Sequence, residues 1–390
     1  MRACSWFAAM MFLLAPFAAV GPSLAFPSIA RACADAWTVA PQPVPPAGSS
    51  ELDAVGAASA TDAWAVGYAF DPVAGVTGTL AERFDGTAWS VVPTADGPNS
   101  SANLLSGVDA RTPADAWAVG TFIRKNNLEK TLIEHWDGAA WTREPSVDAG
   151  QPAGGSLDGV AAIAPDDVWA VGSYGQGAPS RTLIEHRDGT SWRIVPSPNK
   201  GPFPNSLSSV AAIAADDVWA VGTWFTKAFV DRTLVLHWDG TSWERVPSPN
   251  VGAGANDLVS VDAAATDDVW AVGVAGLKTL TEHWDGTSWS VVKSKTPGGN
   301  ADLAGVVAIA SDDVWAVGGR FDPQPRALRT LVEHWDGTRW SVVASANKGP
   351  SDNHLYGATE ATGRMFAVGS RLRSGGGGRL APLMLERCGP

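Results

Sequence analysis

Short apolar runs alternate along the chain with clusters of Asp, Gly and Pro, and the runs recur in a fixed order. One unit reads Leu-Asp-Gly-Val-Ala-Ala-Ile-Ala-Pro-Asp-Asp-Val-Trp-Ala-Val-Gly over residues 157–172. It resumes as Arg-Thr-Leu-Ile-Glu-His-Arg-Asp-Gly-Thr-Ser-Trp-Arg-Ile-Val-Pro over 181–196. Four runs in this unit predict β-strands, here lettered A (157–163), B (168–173), C (182–186) and D (192–196). Each is short, rich in β-branched or aromatic residues and bounded by turn formers. Strand A is small at Gly159, Ala161 and Ala162, whereas strand B alternates Trp169 and Val171 with Val168 and Ala170. A large face can then pack on the small face of the next unit, and a sheet of this kind needs such a neighbour.

The Trp of Trp-Ala-Val-Gly returns at Trp64, Trp117, Trp169, Trp219, Trp270 and Trp315, and Phe366 takes its place in a seventh, partial copy. The spacing is close to the ~40–50 residues of a four-stranded propeller blade. The C-terminus supplies strands A (355–358), B (365–370) and C (383–387) of the seventh unit and then stops. Its strand D is predicted at 36–41, where Ala-Trp-Thr-Val-Ala-Pro resembles the strand D around Trp89. The expected fold is therefore all-β: a seven-bladed β-propeller of four-stranded antiparallel blades, its ring closed by the N-terminal strand D.

The strings Asp-Asp-Val-Trp-Ala-Val-Gly and Glu-His-Trp-Asp-Gly-Thr-Ser-Trp resemble Trp-rich repeat proteins exported by bacteria. The Trp-Asp-Gly-x-x-Trp element at 136–142, 284–290 and 335–341 is also similar to that of Trp-rich propeller lectins. It resembles the Asp-box of sialidase-type propellers in part, with His in place of the Ser two residues before the Asp. The resemblance implies the fold, and the lectin likeness implies a carbohydrate ligand as an alternative to a protein one.

With 390 residues, 19 Trp and a formal charge of −12, the chain is neither a disordered tail nor a binder of nucleic acid, which rewards Lys and Arg clusters. Arg2 followed by an apolar run at 6–20 reads as a signal peptide over 1–32, cleaved after Ala25 or Ala32. Residues 33–390 form a single propeller, and no segment is apolar enough for a transmembrane span. The expected location is secreted or cell-envelope. Cys33 and Cys388, one at each end of the mature chain, are expected to form a disulfide across the closing blade.

His135, His186, His237, His283 and His334 occupy one repeat slot, with Arg83 and Arg387 replacing them in the outer blades. Ring symmetry spreads such residues around a circle, so they are read as structural and no metal is expected. The preceding Glu slot (Leu236 in one blade) and the Asp-Asp pairs before strand B are also read as structural, the latter as turn formers. No nucleophile elbow, zinc motif or Walker loop is present, so neither enzyme activity nor a cofactor is expected, leaving a hydrolase or oxidase as a remote alternative. The B–C connections vary while the A–B and C–D turns repeat, which places a protein or carbohydrate ligand on the face of the B–C and D–A loops of a monomer. Candidate contacts there are Trp224, Phe225, Phe229, Phe70, Phe122, Tyr174 and Phe321, with Arg124, Lys125 and Lys227. The expected function is a non-catalytic binding or scaffold module for protein or cell-envelope components.

Overall fold

The computed structural model describes residues 34–43, 48–147, 154–175, 179–373 and 377–388. These all belong to one compact unit, Cys33–Pro390. The expected signal peptide and Cys33 lie outside the described residues.

The chain forms seven four-stranded antiparallel blades. Strands A are Ser50–Ser59, Ser100–Thr112, Gly155–Ala164, Asn205–Ala214, Asn256–Ala265, Ala301–Ala310 and Asn353–Ala361. Strands B are Asp62–Asp71, Asp115–Arg124, Asp167–Tyr174, Asp217–Phe225, Asp268–Ala275, Asp313–Asp322 and Arg364–Leu372. Strands C are Val76–Phe84, Glu129–Trp136, Arg181–Asp188, Asp231–Trp238, Lys278–Trp284, Ala327–Trp335 and Leu380–Cys388. Strands D are Trp89–Val92, Trp141–Arg143, Trp192–Ile194, Trp243–Val246, Trp289–Val291 and Trp340–Val343, and blade 7 takes Thr38–Val39 as its own. Five blades are separate sheets, and blades 1 and 2 are joined by one parallel pairing of Thr77 with Ala102. Each strand A packs between the A strands of its two neighbours, that of blade 1 against that of blade 7, which closes the ring.

The core is the set of interfaces between blades. The buried Trp of each strand B meets aromatic residues of the next blade. Trp169 lies 5.0 Å from Trp238 and 5.4 Å from Trp243, and Trp64 lies 4.8 Å from both Trp136 and Trp141. Phe366 of blade 7 meets Phe84 and Trp89 of blade 1, each at 5.2 Å. Trp315 of blade 6 meets Trp37 of the closing strand edge-on at 6.0 Å. Such tilted and edge-on pairs add to the area that the rings bury.

Two expectations need correction. Strands A, B and C run one to three residues further at each end than the apolar runs, the pairing of strand A continuing past a β-bulge such as that between Leu157 and Gly159. The closing strand is shorter than 36–41 and slipped by one residue. Glu134 pairs with Arg143, two residues after Trp141, whereas Glu386 pairs with Thr38, one residue after Trp37. A hairpin fixes the register of the other D strands, and the closing strand has none.

Candidate ligand-binding face

The repeat slots form a framework inside the blades. In five blades the slot His stacks on the strand B Trp at 3.8–4.3 Å, as His186 does on Trp169 and His283 on Trp270. Its Nε2–H donates to the Asp that opens strand B, the second of the Asp-Asp pair in four of these blades, at 2.8 Å for His237 to Asp217 and 2.9 Å for His334 to Asp313. That Asp also takes the Trp indole N–H in three blades, for example Trp270 to Asp268 at 2.8 Å. The second Asp is thus a hydrogen-bond hub as well as the start of strand B. Arg83 fills the His slot in blade 1, donating to Asp62 and lying over Trp64. The Asx turns lie in the C–D hairpins, where Asp239 accepts from the backbone of Thr241 and Ser242 and from the Thr241 hydroxyl. These bonds hold the exposed Asp239 carboxyl down at about 2.

The Glu slot works between blades. Glu134 accepts the Ala95 backbone N–H at 3.0 Å, Glu185 that of Val147 at 3.2 Å, and Glu333 that of Lys295 at 3.2 Å. Each donor lies six residues after the strand D Trp of the preceding blade. At three linkers that position is Pro43, Pro198 or Pro249, which has no N–H to give. Opposite Pro198 the slot holds Leu236, fully buried. Opposite Pro249 it keeps Glu282, and in blade 1 Glu82, both fully buried with both oxygens unpartnered. Burial pushes each of these two carboxyls up to about 8. Glu134 and Glu333, with one donor each, rise to about 7.

The B–C and D–A loops share one face, and its linkers are braced. Asn205, Asn256 and Asn353 are fully buried, and their side-chain oxygens accept the linker N–H groups of Lys200, Val251 and Lys348 at 2.7–2.8 Å. Arg181, Arg232 and Arg329 clamp the carbonyls of the same linkers.

On this face the structure gathers only the blade 4 candidates. Phe229 is 67% exposed at the loop tip, with φ 53°, and meets Phe203 edge-on at 5.9 Å. Phe225 is half-buried and Lys227 exposed beside it. Trp224 is packed against the blade 3–4 core, with the Lys200 ammonium 5.6 Å from its ring centre. Phe122 is buried, so tightly that a Cβ on Gly97 would lie 2.2 Å from its ring. Arg124 covers that ring at 5.9 Å, and Lys125 is exposed. Tyr174 packs on the blade 3 core, Phe321 is half-buried and Phe70 is 37% exposed. Apart from Phe122, Arg124 and Lys125 of blade 2, these stand on separate blades, and they do not converge with the blade 4 group. Phe203 was missed, hidden between two prolines of a linker.

At the centre, the A strands line a channel of ≈ 710 Å³. Its mouth carries a second group that sequence reasoning did not assemble. His354, the one His outside the repeat slot, pairs with Asp302 at 2.9 Å. Tyr356 bonds Ser370 at 2.9 Å, and Glu51 accepts from Ser370 and Tyr68. Among the described residues no group of three or more His, Cys, Asp or Glu is placed to hold a metal.

No described sequence family and no curated protein matches the chain. Solved structures do. YCF48 bound to a D1 peptide is 14% identical over 91% of this chain and 95% of that one, with a TM-score of 0.54. U3-55K is 9% identical over 90% and 98%, with a TM-score of 0.55. The Trypanosoma rangeli sialidase, solved with the inhibitor DANA, is 10% identical over 87% and 55%, with a TM-score of 0.51. At these identities the likeness is one of fold: the chain is a β-propeller. Both binding proteins and enzymes use that fold.

Proposed function

We propose that the chain is a non-catalytic binding propeller, exported from the cytoplasm, that receives a protein partner on the B–C and D–A loop face. The observation that carries this reading is Phe229. A large apolar ring stands in solvent at a positive φ that an aromatic residue rarely adopts. Its loop is fixed by bonds from the Phe229 and Val230 N–H groups to Thr226. A rigid, exposed ring flanked by Phe203 and Lys227 has the form of an anchor for a partner's apolar pocket or side chain. The YCF48 structure with its peptide offers a precedent for peptide binding on this fold.

Selection of displayed peptides against the mature chain, followed by affinity measurement on Phe229→Ala, tests the reading. Enriched peptides should bind the variant at least ten-fold more weakly while its melting temperature stays unchanged. Peptides that bind the variant equally well overturn it. So does a glycan array that binds through Phe229, which would favour the carbohydrate alternative.

A further inference from the structure

The sevenfold pattern breaks most sharply where the strand A termini of blades 6, 7 and 1 open the channel. Here stand two of the three tyrosines of the chain and the unslotted His354. The His354 ring lies 4.9 Å from that of Tyr356, and its Nδ1 is buried without a partner. Room for the imidazole comes from Gly319, where a Cβ would fall 2.2 Å from the ring. Glu51, Ser370, Tyr68 and Tyr356 bond to one another, so their orientation is fixed.

Asp53 differs from them. It lines the channel next to Tyr356 of the adjacent blade. It takes part in none of the hydrogen bonds that hold its neighbours. Burial, and then the Glu51 charge, push its carboxyl up to about 8. The channel below adds carboxylates at Asp109, Asp158, Asp262 and Glu360, and its lining holds no Lys, Arg or His. Asp109 and Asp262 are already used, accepting the backbone N–H of Ala162 and Ala308. The wall between them mixes Gly, Ala and Val, among them Val55 and Val108, with Ser106, Ser208, Ser209 and Ser260.

We propose that this mouth is a site for a primary alkylammonium group, seated between the Asp53 carboxyl, which ionises as the ammonium binds, and the Tyr356 ring. The inference deepens the binding reading and rests on it only for the choice of face. An ammonium carries the charge that the channel lining lacks, and an aromatic face adds cation–π attraction in a desolvated setting. The chain's formal charge of −12 favours approach of a cation from any direction. Two sources share this chemistry: a lysine side chain of the protein partner and a free polyamine.

Calorimetric titration of the mature chain with a Gly-Lys-Gly peptide and with spermidine tests the site. The peptide has blocked termini and is compared with and without side-chain acetylation, so that the blocked acetyl-lysine peptide and methyl glucoside serve as neutral controls. Binding of either amine, lost at least ten-fold in Asp53→Asn and in Tyr356→Leu, is the expected result. Spermidine alone binding assigns the site to a free polyamine, and binding of the lysine peptide assigns it to a partner's side chain. Asp336→Asn, which neutralises an exposed hairpin carboxylate, should leave both affinities unchanged, as should Phe229→Ala. The proposal is overturned if neither amine binds, if a neutral control binds as well, or if Asp53→Asn binds like the native chain. Because Phe229→Ala leaves this site intact, its failure and the failure of the blade 4 anchor are read separately.

Discussion

Replacing Glu282 by Leu should make the protein more stable, and increasingly so as pH rises. The Glu282 carboxyl is fully buried, faces Pro249 instead of a donor, and keeps its proton up to about 8, against an ordinary 4.5. Because the folded pKa is raised, the folded state carries no ionisation penalty below pH 4.5. The penalty grows as pH climbs from 4.5 and levels off above 8. At ~1.36 kcal/mol per pKa unit, the span from 4.5 to neutral pH amounts to about 3 kcal/mol, an upper figure for a site that can relax. Leu236 already occupies this slot opposite Pro198, so the shape is tolerated. The comparison is Glu134→Leu, which leaves the Ala95 N–H without its acceptor at a cost of about 1–3 kcal/mol. Chemical denaturation of both variants and the native chain at pH 4.5, 6 and 7.5 separates the terms. Glu282→Leu should already be stabilising at pH 4.5, where it removes a neutral but unpartnered buried carboxyl, and by about 2–3 kcal/mol more at pH 7.5. Glu134→Leu should be the less stable variant at every pH. A Glu282→Leu gain independent of pH, or a loss at pH 7.5, would refute the argument that an unpartnered carboxyl sits there.

Other outcomes follow from the same framework. Asp268→Ala strands the His283 imidazole and the Trp270 indole N–H together and should cost about 2–4 kcal/mol in urea unfolding. Trp224→Ala should lower stability by about 2–4 kcal/mol because its ring is packed on the core, whereas Phe229→Ala should leave the unfolding midpoint unchanged. The Cys388 N–H bonds the Ala34 carbonyl at 2.9 Å, next in sequence to Cys33. Non-reducing mass spectrometry of the mature chain should therefore find a Cys33–Cys388 bridge worth about 4–5 kcal/mol in a chain-entropy account, and two free thiols would disprove it.

Much of the fold was legible because each blade repeats the same instruction. A small strand A, a Trp in strand B and an Asp-Gly hairpin recur until the closing blade, and no helical period competes with them. The one-residue slip of Thr38 against Glu386 was not legible, since nothing in the sequence replaces the hairpin that sets register elsewhere. Trp224 looked like a free loop aromatic. Strand B runs on to Phe225, and the pleat turns Trp224 toward the blade interface. The channel mouth was illegible for a related reason. Glu51, Tyr68, His354 and Ser370 are spread over more than three hundred residues and meet only when the ring closes. Its one sequence signal was a sixth His outside the slot of the other five.

That contrast gives a physical rule for finding function in a repeat ring. A departure from the repeat that is matched across the interface is structural. Leu236 answers Pro198, which has no N–H to offer a carboxylate. Arg83 takes the place of a His and still donates to Asp62. Arg187 stands where other blades have a Trp and still covers the Trp117 ring at 5.1 Å. Phe229 has no such counterpart: its exposed ring leans on Phe203 and is otherwise turned to solvent. Asp53 likewise lines the channel, and no Lys, Arg or His shares that lining. Exposing an aromatic ring without compensation costs stability, so a ring that departs from the repeat and has no partner for its exposed face in the fold is explained by a partner outside it.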